Sequence, residues 1–195
     1  MAQARQVLEK HRLWIQRQRE TVLRRHATLL ERAAAAEDVV HGHRLTLRPS
    51  ELAACRTEIQ PGQVLVSYPS HADHFTDPAI LKIIQRGLLE ACRRAARDIL
   101  PGRTKELAGI HGFRIGTIRV KSMTSRWGSC SPEGSLNLNI QLMRLDAELR
   151  DYVILHELVH TRVRNHGRLY WDELSRVLPT ARSLDRRLRA VRIWD

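Results

Sequence analysis

Cysteine is scarce in this sequence, and its placement excludes two common uses of the residue. The chain has three cysteines, Cys55, Cys92 and Cys130, and no Cys-x-x-Cys pair. An odd number without paired spacing argues against a disulfide framework and against a thiolate zinc site. Because free thiols are typical of a reducing compartment, we expect a cytoplasmic protein.

Long apolar runs and aromatic residues are also few. No stretch approaches the roughly 20 apolar residues that a membrane-spanning helix needs, and the polar N-terminus does not read as a signal sequence. Phe, Trp and Tyr make up only 5% of the residues, so an aromatic platform for single-stranded nucleic acid is not indicated. We therefore expect a soluble protein that does not use a membrane.

Positive charge is abundant. The formal net charge is +12, which favours contact with polyanions such as nucleic acid, nucleotides or acidic surfaces. Only four of the 33 basic residues are lysine, and arginine is the better bidentate ligand for phosphate. The same excess is also typical of a solvated surface shaped by codon composition. Nucleic-acid binding therefore stays an open alternative.

The first half of the chain predicts helices and short strands. Residues 3–35 read as one long basic helix with a single apolar stripe, within an N-terminal segment 1–35. Short strands are expected at His43–Leu47 and Gln63–Tyr68. A helix should begin at Thr76-Asp77-Pro78, bury a face that runs from Ile80 to Ile99, and end at Pro101-Gly102.

Residues 113–178 are expected to form the core of the functional part. A strand over Phe113–Lys121, kinked at Gly116, should pair as a hairpin with a strand over Leu136–Gln141. A helix from about Asp146 to Arg164 follows, then a helix over Arg168–Leu178 and a short basic C-terminal helix. The 195 residues thus predict one α+β domain, with helices packed on one face of a small, mostly antiparallel sheet.

The motif His156-Glu157-Leu158-Val159-His160 carries the functional prediction. On a helix, histidines four residues apart share one face, so both imidazoles reach the same ion, and Glu157 is free to act as a base. Zinc held by three protein ligands keeps a position for water and lowers its pKa to about 7. The motif therefore predicts metal-assisted hydrolysis. Its alternative is a pair of histidines that serve only packing.

His166 is the favoured third ligand, because neutral imidazole suits zinc and the connecting loop is short. The spacing resembles the metzincin pattern, but Val163 replaces the glycine at which a metzincin turns, and no methionine follows the motif. Asn165 is expected to close the last turn of the helix instead. Glu173 or Asp172 on the next helix is the rival third ligand.

Four residues near the motif are candidates for binding substrate. Arg126 precedes a strand and could neutralise an anionic group or stabilise an oxyanion, and Tyr170 could also stabilise the oxyanion. Asn137 and Asn139 alternate with leucines, so they could bind an extended substrate, orient a ligand or simply pack. For Trp127, core packing is the favoured interpretation.

Three motifs together resemble one family. Arg-Trp-Gly-Ser-Cys-Ser at 126–131, Asn-Leu-Asn at 137–139, and the histidine motif with Asn165-His166 and Trp171 are similar to YgjP-like zinc metallopeptidases, which are related to SprT-like and other compact zincins. The resemblance is strongest from Ile118 to Leu174. It implies a compact zincin-like fold, His156, His160 and His166 as zinc ligands, and Glu157 as the catalytic base.

Three functions follow as hypotheses. The first is a zinc-dependent peptidase acting on a peptide or protein substrate. The second is a metal-dependent nucleoside triphosphate pyrophosphatase, an activity that has also been associated with YgjP-like proteins. The third is a basic nucleic-acid-associated module whose zinc is structural.

Overall fold

The computed structural model describes residues 39–40, 43–72 and 77–193. The helix predicted at 3–35 lies outside these residues. The chain divides into two compact units, the first ending at Leu88 and the second beginning at Leu89. The prediction of a single domain stays a prediction, and each unit is described separately below.

The described part of the first unit contains a mixed four-stranded sheet. Its strands are β1 (Val39–Val40), β2 (His43–Ser50), β3 (Arg56–Gln60) and β4 (Gln63–Pro69), in the order β1-β2-β4-β3. The strands β2 and β4, which were both predicted, run parallel, whereas the other two pairs are antiparallel. The strand β3 was not predicted. It is joined to β4 by a tight turn in which Gly62 has a φ of 70°.

The helix α1 (Pro78–His111) crosses the boundary between the units and is 34 residues long. Its start agrees with prediction, because the amide of Ala79 donates to the Asp77 carboxylate at 2.8 Å. Its end does not, since the helix continues through Pro101 and Gly102 for more than two further turns. At His111 it closes on Gly112 (φ 68°), with Phe113 N donating to Ala108 O at 2.8 Å.

Burial explains why Pro101 fails to end α1. A proline inside a helix costs about 3 kcal/mol, because it removes one hydrogen bond and crowds the preceding turn. The following turns bury Leu107 and Ala108, and the hydroxyl of buried Thr104 donates to Leu100 O at 2.7 Å. The predicted buried face was also partly wrong, because Leu100 is buried and Ile99 is 43% exposed.

The second unit contains a three-stranded sheet in the order β5-β7-β6. Its strands are β5 (Ile118–Lys121), β6 (Gly128–Cys130) and β7 (Leu136–Asn139). The predicted pairing was wrong, since β5 and β7 run parallel and the hairpin is formed by β6 and β7. Alternation of apolar residues identifies the face of a strand but not its direction. The strand predicted from Phe113 begins only at Ile118.

Four helical segments follow the second sheet: a 3₁₀ helix (Ile140–Arg144), α2 (Ala147–Val159), α3 (Arg168–Val177) and α4 (Ala181–Arg189). Asp146 caps α2 as predicted, because its carboxylate accepts from Leu149 N at 2.8 Å. The helix ends at Val159, five residues before the predicted Arg164. Its last turn closes through Thr161 and Arg162 rather than through Asn165.

The core of the second unit lies between the sheet and these helices. Fully buried side chains come from β7, from α2 and from both later helices, namely Leu136, Leu138, Ile154, Leu158, Leu174 and Leu184. The α+β class is therefore confirmed, with two small mixed sheets and with three of five strand pairs antiparallel. No described helix combines the length and the apolar character needed to cross a bilayer.

Candidate metal centre and active site

Three imidazoles converge at the end of α2. His156 lies in its last turns, His160 is its C-terminal cap, and His166 lies in the loop that leads to α3. The Nε2 atom of His166 is 3.1 Å from the Nε2 atoms of both His156 and His160. Among the residues that the structure describes, this is the one group of three or more His, Cys, Asp or Glu side chains close enough to share a metal ion.

The distances from His166 Nε2 to the other two nitrogens fit a divalent metal. Zinc lies about 2.0–2.1 Å from imidazole nitrogen, so tetrahedral ligands stand about 3.3 Å from one another. The Nδ1 atom of His160 is 3.1 Å from Val163 O. Because a carbonyl oxygen only accepts, Nδ1 carries the hydrogen and Nε2 keeps a lone pair that faces the other two rings.

The surroundings favour the neutral form of His156 and His160. Burial, followed by the proximity of His160 and His166, lowers the pKa of His156 to about 3. Burial also lowers the pKa of His160. Neutral imidazole is the form that binds a metal, so both rings are in the binding form at neutral pH.

The ring of Tyr170 packs against all three imidazoles. Its side chain is fully buried, its ring stacks on His160 with centroids 4.8 Å apart, and it meets His156 and His166 edge-on. Its hydroxyl donates to the carbonyl of His156 at 3.4 Å. The structure thus places Tyr170 against the histidines rather than at an accessible surface where a substrate oxygen would lie.

Glu157 is a nearly buried carboxyl, only 6% exposed. Burial raises its pKa to about 7, and the positive charge of Arg126 partly opposes that rise. A carboxyl with this pKa exchanges a proton readily near neutral pH. The space that the Glu157 carboxyl occupies depends on Gly128 in β6, because a Cβ atom at that position would lie 2.6 Å from Glu157 Oε1.

The histidines and Glu157 line an open cleft of about 640 Å³. Its other lining residues come from the loop before β6, from β6 itself and from the loop after α2: Ser125, Arg126, Gly128, Ser129, Cys130 and Arg164. Of these, only Arg126 was predicted as a site residue. Gly128, Ser129 and Cys130 belong to the sequence motif at 126–131, so the sequence marks their segment as one of interest. Arg164 belongs to no such motif.

The two asparagines do not line this cleft. Asn139 is fully buried, its Nδ2 donates to the carbonyls of Met123 and Arg126, and its Oδ1 accepts from Gln141 N. Its amide is therefore used to hold the loop before β6. Asn137 is half-buried and donates from Nδ2 to Ser129 Oγ at 3.1 Å, while its buried Oδ1 has no hydrogen-bond partner.

The rival carboxylate ligands lie outside the histidine cluster. Glu173 forms ion pairs with Arg162 and Arg176, and hydrogen bonds from these arginines hold its pKa at about 2. Asp172 is exposed and lies 3.6 Å from Arg168. Trp127 is half-buried and packs against the core.

Comparison with known proteins identifies a family for this chain. The family model described as "YgjP-like, metallopeptidase domain" matches residues 1–191. No curated protein matches the sequence. Among solved structures, the metallopeptidase zymogen jannalysin of Methanocaldococcus jannaschii is 25% identical, with 46% of this chain and 92% of that one covered at a TM-score of 0.41.

A second structural match is the metallopeptidase zymogen abylysin of Pyrococcus abyssi. It is 20% identical, with 50% of this chain and all of that chain covered, at a TM-score of 0.44. The family assignment does not depend on either structure, because the family model alone covers almost the entire sequence. The chain therefore belongs to the YgjP-like family of metallopeptidase domains and is a hydrolase of that class.

Proposed function

We propose that this chain is a zinc-dependent peptidase in which His156, His160 and His166 hold the metal and Glu157 is the general base. The observation that carries the proposal is the convergence of three imidazole nitrogens, with His166 Nε2 lying 3.1 Å from each of the other two, next to a buried carboxyl in the same cleft. Nitrogen ligands in this number and spacing leave a fourth position for water or substrate.

His156, His160 and His166 would hold the zinc, which would supply Lewis-acid chemistry at this site. Glu157, with its pKa raised to about 7, takes a proton from the attacking water at neutral pH and delivers it to the nitrogen of the leaving amine. Gly128 leaves the space in which this carboxyl sits. Val163 O fixes the tautomer of His160, and Tyr170 keeps the rings in place.

The substrate we propose is a peptide or a protein, because the family is one of metallopeptidases. The described residues contain no second metal-binding cluster, acidic or otherwise, and so offer nothing in favour of the nucleotide alternative. No observation on the described residues favours a structural zinc in a nucleic-acid-binding module. A cytoplasmic location is proposed because Cys55, Cys92 and Cys130 are all free.

The test compares the wild type with Glu157→Gln. Zinc content is measured by mass spectrometry, and turnover is measured with casein and with mixed fluorogenic peptides. We expect about one zinc per chain in both proteins, and a loss of at least about a thousandfold in turnover for the variant. Glu106→Gln changes an exposed carboxyl of the same unit and should match the wild type.

Chelation should remove activity, and added zinc should restore it. Unchanged turnover in Glu157→Gln would refute the role of this carboxyl. Zinc binding that survives His156→Ala, His160→Ala and His166→Ala in turn would refute the ligand set.

A further inference from the structure

Two arginines contribute the positive charge of the cleft. Arg126 lies in the loop before β6, and Arg164 lies in the loop after α2, between two of the histidines in sequence. The charge of Arg126 acts on Glu157, and the charge of Arg164 acts on Cys130. The two guanidinium groups therefore act on different residues of the same cleft, one on Glu157 and the other on Cys130.

The chain holds Arg126 by its backbone and Arg164 by its side chain. The carbonyl of Arg126 accepts from the amide of fully buried Asn139 at 2.9 Å, which fixes the backbone from which the side chain extends. Arg164 donates from Nη2 to Pro132 O at 2.6 Å. Neither guanidinium takes part in an ion pair with another described residue. Each therefore keeps hydrogen-bond donors for an incoming anion.

The cleft offers little negative charge to compensate. Among the residues that the structure describes, Glu157 is the single carboxyl that lines it. Glu133 is close enough to Arg164 for each charge to influence the other, but it is exposed, accepts from Ser131 Oγ at 2.7 Å and does not line the cleft. The cleft thus presents two cations that have no ion-pair partner among the described residues.

We propose that this cleft selects acidic peptides, with Asp or Glu side chains on the residues that flank the bond to be cleaved and with Arg126 and Arg164 as the residues that recognise them. The inference rests on the proposed peptidase function. Accessible ion pairs contribute a few-fold each, so two together favour an acidic substrate over its amide counterpart by about tenfold. The net charge of +12 adds a general attraction for acidic chains.

The test uses three decapeptides with one neutral core and either Glu, Gln or Lys at the flanking positions. In the zinc-loaded wild type, we expect kcat/KM to be about tenfold higher for the Glu peptide than for the Gln peptide, and lowest for the Lys peptide. Raising NaCl from about 0.05 M to about 0.5 M should shrink this preference, because accessible charges are screened. Arg126→Gln and Arg164→Gln should each reduce it.

A charge reversal gives the sharper result. Arg126→Glu leaves the Pro132 contact of Arg164 untouched and should improve the Lys peptide relative to the Glu peptide. The matched control is Arg119→Gln, which removes an exposed arginine of β5 outside the cleft and should leave the order of the three peptides unchanged. An equal loss of preference in this control would show that overall charge, not the cleft, selects the peptide, and would overturn the proposal.

Binding separates this inference from the proposed function. Fluorescence anisotropy with labelled peptides on zinc-loaded Glu157→Gln measures selection without turnover, and the Glu peptide should bind about tenfold more tightly than the Gln peptide. If the zinc-loaded wild type cleaves no peptide but this difference in binding is present, the peptidase proposal fails and charge selection stands. If peptides are cleaved and bound without regard to charge, the selection proposal fails alone.

Discussion

Replacing Glu157 by Gln should stabilise the metal-free protein at alkaline pH. The carboxyl is 6% exposed, and burial raises its pKa from 4.5 to about 7. At about 1.4 kcal/mol per pKa unit, this rise corresponds to about 3 kcal/mol of cost for the ionised form in the folded state. A neutral amide of similar size avoids that cost at every pH.

The sign of the effect follows from proton binding. Between pH 4.5 and 7 the unfolded chain has released the Glu157 proton while the folded chain still holds it, so stability falls as pH rises. Below pH 4.5 the glutamate is neutral in both states and the two proteins should differ little in pH response. The free energy of unfolding of the variant minus that of the wild type should therefore be about 3 kcal/mol larger at pH 8 than at pH 4. Contributions from the histidines are common to both proteins and cancel.

Urea unfolding of chelated protein, followed by circular dichroism from pH 4 to pH 9, measures this difference. The slope m should be the same in both proteins. A difference in unfolding free energy that stays constant across the range would refute the reasoning, because it would mean that the Glu157 carboxyl is not desolvated in the folded chain.

Three further substitutions test other parts of the structure. Gly128→Ala should lower peptide turnover by about a hundredfold with zinc content unchanged, because the new Cβ would lie 2.6 Å from Glu157 Oε1 and must displace it; wild-type turnover would contradict this. Pro101→Ala should raise the free energy of unfolding in urea by about 1 to 2 kcal/mol, since it restores a helical hydrogen bond; a decrease would contradict the continuous helix. Arg103→Ala should lower the free energy of unfolding by about 1 kcal/mol, because it breaks the contact with Asp151. In a double-mutant cycle with Asp151→Ala, the loss in the double variant should be smaller than the sum of the two single losses.

Features that depend on neighbouring residues in sequence were the most predictable. Asp146 caps α2 through its own side chain, three residues from its partner Leu149. The spacing of His156 and His160 sets their relative positions on one helix, whatever packs around it. Their convergence with His166 needs only a short loop, and the structure brings the three together.

Features that depend on burial or on strand pairing were predicted poorly. Pro101 is a helix breaker by local propensity, but buried side chains beyond it keep α1 continuous. The sequence of β7 shows which side chains alternate, but not that β5 would pair with it in parallel. Such outcomes are decided by contacts between distant parts of the chain.

The same limit applies to the candidate site. Asn139 was considered for substrate contact because it is polar and lies on a strand near the motif, yet it is buried and serves the loop. The neighbours of Arg164 in sequence form no motif that marks it, and only the folded loop brings it to the cleft. A side chain's type is visible in sequence, but the direction in which it points is not.

The use of Asn139 by the loop also makes this position intolerant of a change from an amide to a carboxylate. Two hydrogens of one amide hold the carbonyls of Met123 and Arg126, while its oxygen begins the 3₁₀ helix. Deamidation to aspartate would replace the donor with a second acceptor, so two carbonyl oxygens would face a negative charge. The damage would reach the arginine loop without altering any histidine or Glu157. A chain with aspartate at this position would thus keep the residues of the candidate metal centre and lose the order of the loop beside it.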